Sequence, residues 1–107
     1  MQYYIIKLKK EIKAYFCLEG KSLTKTVEAY PVIFSGFESV SLYVHKEVAY
    51  KDRIAKNKWR VTEKSTGLSV GEGSTRTLAC DEAASKLTWK TKQEVHRVIN
   101  NQNKIAS

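Results

Sequence analysis

The side chains best suited to proton transfer or metal binding are two histidines, His45 and His96, two cysteines, Cys17 and Cys80, and the acids Glu63, Glu72, Asp81 and Glu82. Zinc sites draw their ligands from close pairs, because one turn of chain then presents two donors to the ion. No such pair exists here, so no metal site is expected. His45 alternates with Val40, Leu42 and Val44 and is read as facing solvent. His96 stands beside Arg97 on a short helical segment, a surface position. The acids fall near a helix start, where the helix dipole explains negative charge. Nothing pairs a nucleophile with a base. The expectation is a protein that is not an enzyme and needs no cofactor.

The run Gly67-Leu-Ser-Val-Gly71-Glu-Gly73-Ser-Thr75 invites comparison with the phosphate-cradling loop Gly-x4-Gly-Lys-Ser/Thr. Glu72 stands where the second glycine belongs and Gly73 where the lysine belongs, so the loop motif fails. Amide groups opening a helix at Gly73–Arg76 remain able to bind a phosphate. A simpler reading is that the glycines permit a tight strand-to-helix corner.

The spacing Gly71-x-Gly73-x-Thr75-Arg76-Thr77-x-Ala79-x-x-x-Ala83-Ala84 is similar to the C-terminal third of double-stranded-RNA-binding domains. There a hairpin leads into the last helix through a comparable glycine, lysine and alanine pattern. The resemblance would match Thr75 to the family's serine, Arg76 to its first lysine, and the alanines to its packing positions. Thr77 and Cys80 replace its second and third lysines, and this chain opens with strands where the family opens with a helix. We read the pattern as convergence, since a tight hairpin before an alanine-faced helix produces it by packing alone.

Charge is the strongest compositional signal. Nineteen Lys and Arg against eleven Asp and Glu give a net charge of +8. Such a surplus favours anionic partners, chiefly nucleic acid, by phosphate neutralisation and counterion release. Two clusters carry aromatic neighbours. The first is Lys7, Lys9, Lys10 and Lys13 with Tyr3 and Tyr15. The second is Lys46, Lys51, Arg53, Lys56, Lys58 and Arg60, offset by Glu47 and Asp52, with Tyr50 and Trp59. Cations beside rings combine backbone neutralisation with base stacking.

The elements that must position these groups follow from periodicity. Alternation over Gln2–Lys9, with Tyr4, Ile6 and Leu8 on one face, and over Ile12–Leu18 predicts two strands joined as a hairpin through Lys9-Lys10-Glu11. Lys25–Phe34 has strand composition interrupted by Pro31, which predicts an edge, a bulge or two short pieces. Val40–Val44 reads as a half-buried strand, and Lys46–Lys58 as either a short helix or a long loop. Trp59–Val61 and Leu68–Val70 form a hairpin around Ser65-Thr66-Gly67. Cys80, Ala83, Ala84 and Leu87 then recur at helical spacing after an N-cap at Ser74 or Thr75. A second helix opens at Thr91 with Glu94 as a capping box, shows the stripe Val95, Val98 and Ile99, and frays from Asn100.

The expected fold is therefore α+β: a mainly antiparallel sheet of four to six strands with two C-terminal helices packed on one face. Its 107 residues fit a single domain, with 42% hydrophobic and 28% charged residues as in ordinary globular chains. Lysine enters the N-terminus too early for a secretory apolar region, and Cys17 and Cys80 read as two reduced thiols, so a cytoplasmic protein is expected. The expected function is that of a small basic binding protein contacting nucleic acid or a nucleoprotein complex. The alternative is a protein-protein inhibitor or adaptor, for example a phage or mobile-element protein that blocks a nuclease.

Overall fold

The computed structural model describes the backbone of residues 1–18, 20–49, 53–90 and 92–106, and the side chains of residues 1–14, 20, 23–48, 58–90 and 93–101. Six strands, β1 (Tyr3–Ile5), β2 (Lys10–Leu18), β3 (Lys21–Phe34), β4 (Leu42–Ala49), β5 (Arg53–Glu63) and β6 (Ser69–Gly73), precede two helices, α1 (Arg76–Thr88) and α2 (Lys92–Ala106). The strands form one antiparallel sheet in the order β1-β3-β4-β5-β6, with β2 also paired to β3. The α+β expectation is met. Among the described residues, no helix is long and apolar enough to cross a membrane.

The first two strands do not form the expected hairpin with each other. Both pair with β3, β1 through Tyr3↔Phe34 to Ile5↔Val32 and β2 through Lys10↔Ala29 to Leu18↔Lys21. They are one edge strand interrupted at residues 6–9. Pro31 sits opposite that interruption. Its carbonyl accepts from the Ile6 N–H at 2.8 Å, and N–H and C=O of one strand residue point the same way. The missing N–H of Pro31 therefore faces the gap, which lets a proline occupy the interior of a continuous 14-residue strand.

Of the segment read as a short helix or a long loop, Lys46–Lys58, residues 46–49 end β4 and residues 53–58 begin β5, and residues 50–52 lie outside the described residues. The two strands pair from Leu42↔Glu63 to Lys46↔Trp59, then again at Val48↔Ile54, with a bulge between. The charged residues of this segment leave no apolar period to read.

One face of the sheet carries the helices. Val32, Phe34, Leu42, Val44 and Val61 meet Ala79, Cys80, Ala83 and Leu87 of α1, and Val95 and Ile99 of α2 pack against them. Val98, expected in the same stripe, is about half exposed. The helix α2 continues to Ala106 through the polar stretch expected to fray, with no glycine or proline to stop it. The N-cap of α1 is Thr75, whose Oγ1 accepts from the Leu78 N–H at 3.1 Å. Gly71 and Gly73 let α1 approach β6: a Cβ on Gly71 would lie 2.6 Å from both Ala79 O and Ala83 N. Neither glycine is among those with positive φ; close approach is their reason.

The opposite face holds a second core of Ile12, Ala14, Val27, Ala29 and Val48, with Tyr43 against it. Strands β2 and β4 flank β3 and yet touch, which a flat sheet with about 4.8 Å between neighbours would not allow. The sheet is curled, and the curl buries residues on both faces. His45, expected in solvent, is only 2% exposed. It alternates away from Val44 as expected, but the curl encloses that side too.

Candidate binding surface

Two groups of cations are separated by the sheet itself. Alternation along β4 and β5 sends Lys46 and Trp59 to the helix face and Arg60 to the other. On that other face Arg60 lies between two acids. Its guanidinium donates to Glu47 and, at 3.0 Å, to Glu72; Lys58 reaches the same two carboxylates at 3.2 and 3.5 Å. The hydrogen bond and charge of Glu47 hold the exposed Lys58 ammonium above its ordinary pKa. Two cations and two acids neutralise one another, so Lys58 and Arg60 offer no free charge. Of the remaining predicted residues in this cluster, Tyr50 and Lys51 lie outside the described residues, as do the side chains of Arg53 and Lys56.

The helix face presents a different arrangement. The Lys46 ammonium lies 5.7 Å from the centre of the Trp59 ring. The Arg76 guanidinium stands 4.7 Å from the Tyr30 ring and 5.6 Å from the Trp59 ring. Cations stack on aromatic faces at such separations through the ring quadrupole. Arg76 is also the first residue of α1, so the stack adjoins the N-terminal amides of a 13-residue helix. Neither Lys46 nor Arg76 has an acidic partner among the described residues. Tyr30 and Arg76 were absent from the predicted cluster. They come from a neighbouring strand and a helix start, and only cross-sheet register brings them to Trp59.

The N-terminal cluster lies along the β1 and β2 edge. Lys7, Lys9, Lys10 and Lys13 are all exposed, and Lys9 pairs with Glu28 at 3.5 Å. Between them the chain exposes apolar side chains: Tyr4 and Leu8 at 63% and Ile6 at 37%. Alternation groups these three on one face, and all three are exposed. Tyr3 and Ile5 pack against the core. Tyr3 is tied down twice, its ring 5.4 Å from Phe34 and its hydroxyl donating to Asp81 at 2.6 Å. Tyr15 of the same cluster has its side chain outside the described residues.

Other candidate groups are structurally engaged. His45 Nδ1 lies 2.8 Å from the Lys46 carbonyl and Nε2 lies 2.7 Å from Thr62 Oγ1. A carbonyl only accepts, so Nδ1 carries the proton and Nε2 accepts from the threonine. Burial holds this imidazole below its ordinary pKa. Glu63 is spent on its own hairpin, accepting from the Ser65 and Thr66 amides at 2.7 and 3.1 Å. Cys80 is a free thiol in the core, pushed up to about 12 by burial, and a thiol that stays protonated is a poor nucleophile. Cys17 has its side chain outside the described residues.

The sequence missed one juxtaposition with chemical character: Ser39 Oγ lies 3.0 Å from His96 Nε2. A nucleophile of this type needs a third group to orient its base. Among the described residues none bonds His96 Nδ1, and the serine is exposed. The pair ties α2 to the loop before β4. Among the described residues, no group of three or more His, Cys, Asp or Glu is gathered to hold a metal ion.

No family model matches the chain, and no curated protein or solved structure matches it. The glycine and alanine spacing similar to double-stranded-RNA-binding domains has its own reason in the contact of β6 with α1. Arg76, which that resemblance would direct at phosphate, is stacked on two rings.

Proposed function

We propose that the protein is a non-enzymatic nucleic-acid-binding module that contacts its ligand through the helix face of β4 and β5, around Lys46, Trp59, Tyr30 and Arg76. One observation carries this reading: two cations with no acidic partner among the described residues and two half-buried rings share a patch at the N-terminus of α1. Lysine and arginine neutralise phosphates, helix amides donate to a further oxygen, and rings support unstacked bases. The neutral group of Lys58, Arg60, Glu47 and Glu72 on the opposite face gives binding a direction.

The test is anisotropy of labelled single- and double-stranded oligonucleotides across salt. Affinity should fall steeply between about 50 and 200 mM, with a log–log slope equal to about 0.7 to 0.9 per phosphate neutralised. Lys46→Glu should weaken binding about tenfold and flatten that slope, while Lys58→Glu should change it little. No binding at 50 mM salt, or equal losses from both variants, would discard this surface as the contact.

A further inference from the structure

We infer that the β1 edge is a strand-addition site for an extended acidic segment of a partner protein, a surface separate from the one proposed for nucleic acid. Gln2 O accepts from Ser35 N and Ile6 N donates to Pro31 O, so the even-numbered residues direct their amide groups toward β3. Alternation then turns the N–H and C=O of Tyr3 and Ile5 to the open side. Strand β1 ends the sheet order, and an unpaired edge is a template for another strand.

The side chains say which strand fits. A merely protected edge would carry polar groups, yet Tyr4, Ile6 and Leu8 are exposed at alternate positions along this one. Lys7, Lys9 and Lys10 stand among them, with Lys13 further along, against Glu11, Glu28 and, beside Tyr3 and Tyr4, a Glu38 that accepts from the Gly36 N–H. The pair of Lys9 with Glu28 is exposed on both sides, and such pairs contribute less than about 1 kcal/mol, so it yields readily to another acid. A second copy of this chain, itself at +8, is repelled by the same lysines that attract an acidic strand. Asp81, the acid nearest β1 on the helix face, is occupied by the Tyr3 hydroxyl. Strand addition of this kind takes affinity from main-chain bonds and specificity from alternate side chains.

The probe is a synthetic peptide of alternating valine and glutamate, about eight residues long, titrated into isotope-labelled protein and followed by NMR. Saturable shifts and slowed amide exchange at Tyr3 and Ile5, with a Kd of about 1 mM or tighter, are the expected result. N-methylation of alternate peptide residues, which removes donors and leaves the side chains, should weaken binding about tenfold, as should replacing the glutamates with lysines. Leu8→Glu should do the same while leaving the rest of the spectrum unchanged. No saturable shift at 1 mM would overturn the proposal, and so would binding indifferent to N-methylation. Neither outcome bears on the oligonucleotide titration, which reads a different face.

Discussion

The two ends of the sheet are finished differently. At one end β6 is pressed against α1. Its glycines admit the helix backbone, and the Glu72 amide donates to Glu82 Oε1 at 3.3 Å, so even an outward-pointing N–H of this edge has a partner. At the other end β1 is three residues long, carries three exposed apolar side chains nearby, and is held to α1 by the Tyr3 hydroxyl. One edge is closed by packing and the other is guarded by charge. Closure by packing is permanent, whereas a charged guard discriminates by the sign of what approaches. That difference turns one end into structure and leaves the other open to a partner.

The largest expected effect breaks the closed end. In Gly71→Ala a methyl group is placed 2.6 Å from two backbone atoms of α1, which cannot rotate away as a side chain would. Either α1 lifts from β6 or the strand shifts, and overpacking of this kind costs about 3 kcal/mol. Urea denaturation should show the loss. Because β1 lies at the far edge of the sheet, peptide binding there should survive in whatever fraction remains folded. A Gly71→Ala protein of unchanged stability would mean that the helix does not sit this close.

The closed end was the legible one. Alanine and cysteine at helical spacing and a threonine cap forecast α1 packed on the sheet, while the two glycines, read as a tight corner, instead lie within β6 and admit the helix backbone. At the open end the sequence left the inward face unassigned, because Tyr3-Tyr4 and Ile5-Ile6 repeat each residue type and alternation has no phase. Only the register against β3 decides that Tyr3 and Ile5 turn inward. His45 was misread for a related reason: a one-sided alternation assumes a flat sheet, and this sheet curls. The described cations of the basic cluster over residues 46–60 are divided between the two faces of the sheet, and of the two acids that pair with Lys58 and Arg60, Glu47 is local and Glu72 comes from another strand. Glu72 is opposite Arg60 across β5 and β6, a neighbour that no local window contains.

The second effect lies between the two ends and reports how tightly the curl is closed. His45 is buried neutral with both ring nitrogens bonded, and burial, aided by the nearby Arg60 charge, lowers its pKa. In the unfolded chain the imidazole regains its ordinary value of about 6.5. Below that pH the unfolded state binds a proton that the folded state refuses, so stability falls with decreasing pH until the folded pKa is reached. The slope approaches about 1.4 kcal/mol per pH unit inside that window. Thermal unfolding of wild type and His45→Gln from pH 7.5 downward separates this from carboxylate titration, which begins lower. An equal slope in both proteins would mean that water reaches the imidazole and the second core is open.

The smallest effect tests the stitch between the open edge and the helix that closes the other one. Tyr3→Phe keeps the ring on Phe34 and removes only the hydroxyl that donates to Asp81. A charge-assisted bond at a partly exposed site contributes about 1 kcal/mol, so the substitution should lower stability by that amount at pH 7. Burial, with the hydrogen bond and charge of Asp81 adding to it, pushes the phenol up to about 12. A folded pKa above the ordinary value of about 10 means that the contribution is complete below pH 10 and lost as pH rises through 12. The stability difference between wild type and Tyr3→Phe should therefore shrink between pH 10 and 12. Hydrogen exchange gives the spatial half of the result: amides of β1 should exchange faster in Tyr3→Phe, and those of β6 should not. Equal acceleration at both edges would mean that α1 transmits the loss across the sheet, and that the two ends are one cooperative unit after all.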